Sequence, residues 1–289
     1  MIKTILTPLL GDGSDENVLG FAHAAAAQLA AHIYALHVSR NPVDDVVRLT
    51  IGDGVITREL WNAIERDIRD RHDRARHSFD AFCNARAIQI RNVPNATPAG
   101  TASWHEVEGG PAAETSLRAR FNDLVVVSRG DNISGFSPRE LGEILVRSGR
   151  PVLISSPKTM CSKMFETFAI GWKDTLETAH MMTAAMPLLE TAKRVVVLLA
   201  SENSHEEINH QHAERLTAEL EWHGIKPEIR RLIPKEVSVA EALVDAARKA
   251  GADLLALGGY GHSRAREFVF GGVTRYMLEV AHFPVLIVH

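Results

Sequence analysis

Cysteine is nearly absent from this 289-residue chain, which carries only Cys83 and Cys161. Two cysteines cannot build a disulfide framework, and neither stands in a Cys-x-x-Cys context. A reduced, cytoplasmic chain is therefore expected, and redox chemistry is not. Long apolar runs are missing as well. None approaches the roughly 18 residues that span a bilayer, so no membrane partner is expected. The N-terminus, MIKTILTPLLGDGSDEN, is apolar only to Leu10 and then turns acidic. It lacks a small-residue cleavage site, which argues against a secretory signal. There is no excess of positive charge, since the formal net charge is -4. That argues against a nucleic-acid partner, which selects a basic face.

Several chemical signatures are also missing. No Gly-x4-Gly-Lys-Ser/Thr is present, which excludes a P-loop NTPase. Ser103-Trp104-His105-Glu106 and Asp123 supply triad residue types. No Gly-x-Ser-x-Gly elbow accompanies them, and TASWHEVEG reads as a strand. His205, His210 and His212 form the densest histidine group, in SHEEINHQHAERL. None of their spacings is i, i+4, so a solvated helix start is expected and a metal site is not. GDGSDE (Gly11–Glu16) opens like a dinucleotide fingerprint but has Glu16 where a glycine belongs. It reads as a turn and helix cap.

What is present is an ordinary globular composition, 45% hydrophobic and 24% charged, long enough for two domains. The chain is also written twice. DLVVVSRGDN (Asp123–Asn132) is followed by GRPVLISS (Gly149–Ser156), and DLLALGGYGH (Asp253–His262) by HFPVLIVH (His282–His289). Each half opens with a short apolar strand, Ile2–Leu9 or Phe168–Trp172. An alanine-rich helix follows, Asn17–Ala31 or Leu176–Thr191, then a strand, HIYALHV or RVVVLLA. Short apolar strands alternating with helices indicate α/β domains. Each half is expected to be a flavodoxin-like parallel sheet of five strands with helices on both faces. The domains are 1–156 and 166–289, divided by the polar stretch SPKTMCSKMFE. The PVLI strands would leave apolar sheet edges, so the halves are expected to pair through them. Thr57–Ala85 reads as a charged amphipathic helix inserted in the first half, with Trp61, Ile64, Ile68, Phe79 and Phe82 on its stripe. Packing on the surface is the first reading of this helix, and docking a partner the second.

The densest signal is GGYGHSRAREFVFGGVT, Gly258 to Thr274. Its first glycines follow a strand end, where ligands of open parallel sheets sit. Gly271 and Gly272 precede the helix VTRYMLEVA, whose start presents free N–H groups and the positive dipole end. His262, Arg264 and Arg266 add donors and charge, and Thr274 adds a hydroxyl. The stretch reads either as a phosphate cradle or as a set of turn glycines beside surface arginines.

The spacing Gly258-x2-Gly261-x9-Gly271, with DLLALG before and FPVLIV after, resembles the universal stress protein family. Both halves together resemble a tandem pair covering nearly the whole chain. The resemblance implies two adenine-nucleotide-hydrolase-like domains and a role in the stress response without a defined catalytic reaction. It implies ATP, with Mg2+ as companion, held by Gly258, Gly261, His262, Ser263, Arg264, Gly271, Gly272, Val273 and Thr274, with Trp172 and Asp174 on the adenine side. Two positions depart from the pattern. Lys173 stands where an Asp is usual, one residue before Asp174, and Gly272 stands where Ser or Thr is usual. The first half lacks the paired glycines and puts Asp131 near the phosphate position, so it is expected to have lost the nucleotide site or to bind something else. A ligand-free scaffold acting through a homodimer or protein partner is the alternative, and a slow nucleotide hydrolase a third reading.

Overall fold

The computed structural model describes residues 1–43, 57–94, 98–130, 134–157, 159, 161, 163–200, 206–234, 236–259 and 271–289. The strands of the first half are β1 (Thr4–Leu9), β2 (His32–Ser39), β3 (Gln89–Ile90), β4 (Thr101–Glu108), β5 (Leu124–Ser128) and β6 (Val152–Ser155). Those of the second are β7 (Thr167–Trp172), β8 (Arg194–Ala200), β9 (Glu228–Leu232), β10 (Leu254–Gly258) and β11 (Val285–Val288). The helices are α1 (Asp15–Leu29), α2 (Arg58–Ala85), α3 (Pro111–Ala119), α4 (Pro138–Ser148), α5 (Leu176–Leu189), α6 (Glu206–Trp222), α7 (Val239–Lys249) and α8 (Gly272–Glu279).

The strands join into one eleven-stranded sheet, ordered β3-β4-β2-β1-β5-β6-β11-β10-β7-β8-β9. Every pairing within a half is parallel. β6 and β11 meet antiparallel at the middle, with Val152 opposite Ile287, Leu153 opposite Leu286 and Ile154 opposite Val285. All six side chains are buried. The two PVLI strands thus cover each other's edges, as their apolar sequences require. One core, carrying Phe21, Phe79, Met181 and Leu216, lies under α1, α2, α5 and α6. The other, carrying Leu141, Leu243 and Met277, lies under α3, α4, α7 and α8.

The repeat reaches single hydrogen bonds. Asp123 Oδ2 accepts the N–H groups of Lys3 and Thr4 at 2.7 and 3.0 Å. Asp253 Oδ2 accepts those of Glu166 and Thr167 at 2.8 and 2.9 Å. In each half the Asp that opens the fourth main strand therefore anchors the start of the first strand. A carboxylate there satisfies two backbone donors at the sheet's end. Arg129 ties the halves together on the second face, where its buried Nη1 donates to the Met277 carbonyl of α8.

Two expectations need correcting. The first half has a sixth strand, the two-residue β3, added at the sheet edge beside β4. The long charged helix is also no insertion. α2 joins β2 to the parallel strands β3 and β4 as α6 joins β8 to β9, and a parallel pair needs such a crossover. It is the longer of the two, 28 residues against 17. Thr57 caps it through a bond from the Leu60 N–H, and Ile64, Phe79 and Phe82 are buried as the stripe required.

Candidate functional site

The glycines at the end of the chain divide by their surroundings. Gly258 closes β10 against the first turn of α5. A Cβ built there would lie 2.5 Å from the Thr178 backbone nitrogen, so glycine is needed for this packing alone. Gly259 donates its N–H to the Val288 carbonyl at 2.7 Å and so stays tied to β11. Gly271 and Gly272 are different. Both are exposed, and a Cβ at either would meet nothing within 4 Å among the described residues. Gly271 is the N-cap of α8, with φ -61 and ψ 152 and no side-chain cap. Gly272, Val273 and Thr274 follow in the first turn, where N–H groups have no partner inside the helix. Thr274 itself is buried. Gly261, His262, Ser263, Arg264 and Arg266 lie outside the described residues.

The matching helix of the first half is closed. α4 begins with a capping box: Ser137 accepts the Glu140 N–H, and the Glu140 carboxylate accepts the Ser137 N–H at 2.9 Å. A carboxylate of the protein already occupies the place an anion would take. The loop before α4 is held as well, since Gly130 and Phe136 bond back onto that loop and β5, and Phe136 is buried. Asp131 lies outside the described residues.

The turn after β1 completes this closure. Asp12 Oδ2 accepts the Gly135 N–H at 2.8 Å, and its Oδ1 accepts both donors of Ser14. Asp15 is buried and takes the Leu10 and Gly11 N–H groups at 2.8 and 3.0 Å. Burial pushes its carboxyl up to about 6, partly offset by those two bonds. α2 presses on the same turn: a Cβ at Gly11 would strike the Arg71 carbonyl, and Arg74 Nε donates to the Gly11 carbonyl at 2.7 Å. GDGSDE is thus a turn, as expected, but its acids face inward to hold loops. Ser14, at the N-cap, makes no side-chain cap bond.

In the second half the corresponding turn is only Lys173 and Asp174, followed by Thr175, which caps α5 through the Thr178 N–H. Trp172 is half-buried, and its indole nitrogen is buried without a hydrogen-bond partner. Trp172 and Asp174 line one cavity of about 880 Å3 with Met182, Met186 and Leu216. Gly258, Gly271 and Gly272 are not among its lining residues. The structure therefore joins the two adenine-side candidates to each other and leaves the described glycines at the β10 end and the α8 start.

Cys83 and Cys161 are free, and burial pushes both thiols up to about 11, so they stay protonated. No cluster of three metal-ligating acids, histidines or cysteines occurs among the described residues. No helix among them is long and apolar enough to cross a membrane. His205 and the side chains of His210 and His212 lie outside the described residues.

Comparison with known proteins agrees with this layout. Residues 175–289 match the Universal stress protein family. A curated universal stress protein of Synechocystis sp. is 25% identical over 99% of both chains. A universal stress protein of Archaeoglobus fulgidus has the same fold, with TM-score 0.68 at 11% identity, over 99% of this chain and 95% of that one. A putative universal stress protein of Pseudomonas aeruginosa superposes with TM-score 0.58 at 13% identity, over 99% and 93%. The whole chain, including its first half, therefore has the universal stress protein fold.

Proposed function

We propose that the chain is a universal stress protein-type adenine-nucleotide binder acting in the stress response, with one ATP site, in the C-terminal half. One contrast between equivalent helices carries the reading. α8 starts at two exposed glycines with no side-chain cap, while α4 starts under its own Glu140 carboxylate. An open helix start suits a phosphate group, and a carboxylate-filled one repels it. A glycine at 272 keeps the N–H and gives up only a hydroxyl, a loss of about 0.5–1.5 kcal/mol.

The residues that hold the phosphates in this reading are Gly271, Gly272 and Val273, through main-chain N–H groups, with Gly261, His262, Ser263 and Arg264 as the further candidates from the sequence. Trp172 and Asp174 stand on the adenine side, where they line the same cavity. Gly258 serves packing, and buried Thr274 supports the turn. ATP brings its own Mg2+ in this reading. The chain acts by binding, since universal stress proteins are generally not enzymes. The test is mass spectrometry of the small molecules that co-purify with the protein. An adenine nucleotide at up to one per chain supports the reading. Protein free of nucleotide that also fails to bind ATP at millimolar concentration supports the scaffold alternative.

A further inference from the structure

The first half holds a second cavity, of about 630 Å3, beside α3 at the starting ends of β1, β2 and β4. His32 and Tyr34 of β2 and Thr101, Ser103 and His105 of β4 line it together. They share a sheet face because side chains alternate along a strand, and β2 and β4 run in register with Tyr34 opposite Ser103. The alternate residues, Ile33, Ala35, Ala102 and Trp104, point into the core of the other face.

The polar floor forms one directed chain of hydrogen bonds. Thr101 Oγ1 donates its proton to the Pro98 carbonyl at 2.5 Å. That oxygen can then only accept, so His32 Nδ1–H donates to it at 2.8 Å. Burial lowers the pKa of His32 and keeps it neutral, so its Nε2 accepts from Ser103 Oγ at 2.9 Å. With its one proton used, Ser103 accepts from His105 Nε2–H, also at 2.9 Å. The carbonyl at Pro98 thus fixes the tautomer of both imidazoles. The His105 ring lies flat against Tyr34, with centroids 3.7 Å apart and planes 2° apart.

The walls have one sign of charge. Lys3, Arg91 and Arg118 line the cavity with no Asp or Glu among the described lining residues, and Glu114, one turn back on α3, lies 3.8 Å from the Arg118 guanidinium. Arg118 is near enough to bear on both Tyr34 and His105. Phe121, 85% exposed, also lines the cavity. A locked aromatic floor with three cations and no acid among the described lining residues favours a flat ligand carrying negative charge, which would compete with Glu114 for Arg118.

We propose that this cavity binds a small aromatic anion, its ring against the Tyr34–His105 pair and its carboxylate or phosphate at Arg118. The site is separate from the nucleotide site, being built from the other half of the chain. The test is NMR of the imidazole signals of His32 and His105 in the full chain. It uses 2-naphthoate, 1-naphthyl phosphate and neutral 2-naphthamide as probes. Both anions should move the two signals, and the better binder of the two identifies the anionic group. Arg118→Gln should weaken the anions about tenfold or more and leave the amide nearly unchanged. Tyr34→Leu should weaken all three, and Gly272→Asp should change none. The proposal is overturned if neither anion moves these signals at millimolar concentration. It is overturned equally if the amide binds as well as the anions, or if Arg118→Gln binds like wild type with an unchanged melt.

Discussion

Gly258 meets Thr178 where β10 ends against α5, and the Thr178 backbone nitrogen occupies the space a Cβ at 258 would need. The obstacle is backbone at the start of a helix, so it cannot swing aside. Gly258→Ala should cost about 1–3 kcal/mol of stability, the usual range for overpacking. Gly272→Ala, in open space at the first position of α8, should be neutral or gain up to about 1 kcal/mol. Urea unfolding of the two variants against wild type checks both. Equal stability of all three proteins would mean that β10 and α5 are not this close.

Leu286 faces Leu153 across the antiparallel join of the two halves, both almost fully buried. Leu286→Ala should cost about 2–5 kcal/mol. The loss should appear as weaker coupling of the halves. Hydrogen exchange at β6 and β11 should speed up together in the variant. Faster exchange confined to β11 would show that the first half does not depend on the seam.

Asp15 makes stability depend on pH. Its carboxyl rises from 3.8 to about 6 on folding, chiefly through burial. The folded state holds the proton more tightly, so the contribution is full below pH 3.8 and is lost as pH rises through about 6. At about 1.4 kcal/mol per pH unit, the loss is about 3 kcal/mol. Asp15→Asn cannot ionise, and its stability should lack this component. Urea midpoints of both proteins between about pH 4 and pH 7 test it. Wild type should fall relative to the variant across that range, and a constant difference would contradict the assignment.

Most of the fold was legible because repeated apolar strands have few ways to be buried. The paired Asp-Leu strands, the PVLI edges and the stripe of α2 each had a single packing solution. Gly258 shows where that legibility stopped. It resembles Gly271 as a sequence symbol, yet one glycine packs against α5 and the other has no neighbour within 4 Å of a Cβ among the described residues. Only the fold distinguishes them. The inward role of Asp12 was hidden for a similar reason, since its partner Gly135 is distant in sequence. His32, Tyr34, Thr101, Ser103 and His105 did leave a trace. They alternate at period two on strands that are otherwise apolar, but their convergence depends on the register of β2 and β4.

The central claim, an open anion site at the start of α8, is tested most directly by Gly272→Asp. Aspartate favours a helix start, so the folded protein should melt at or slightly above the wild-type temperature. Its carboxylate would stand where the phosphates are placed, reproducing the closure that Glu140 gives α4. Calorimetric titration with ATP should give one site per wild-type chain and no measurable binding to the folded variant. Unchanged ATP affinity in Gly272→Asp, or two equivalent sites in wild type, would contradict the account.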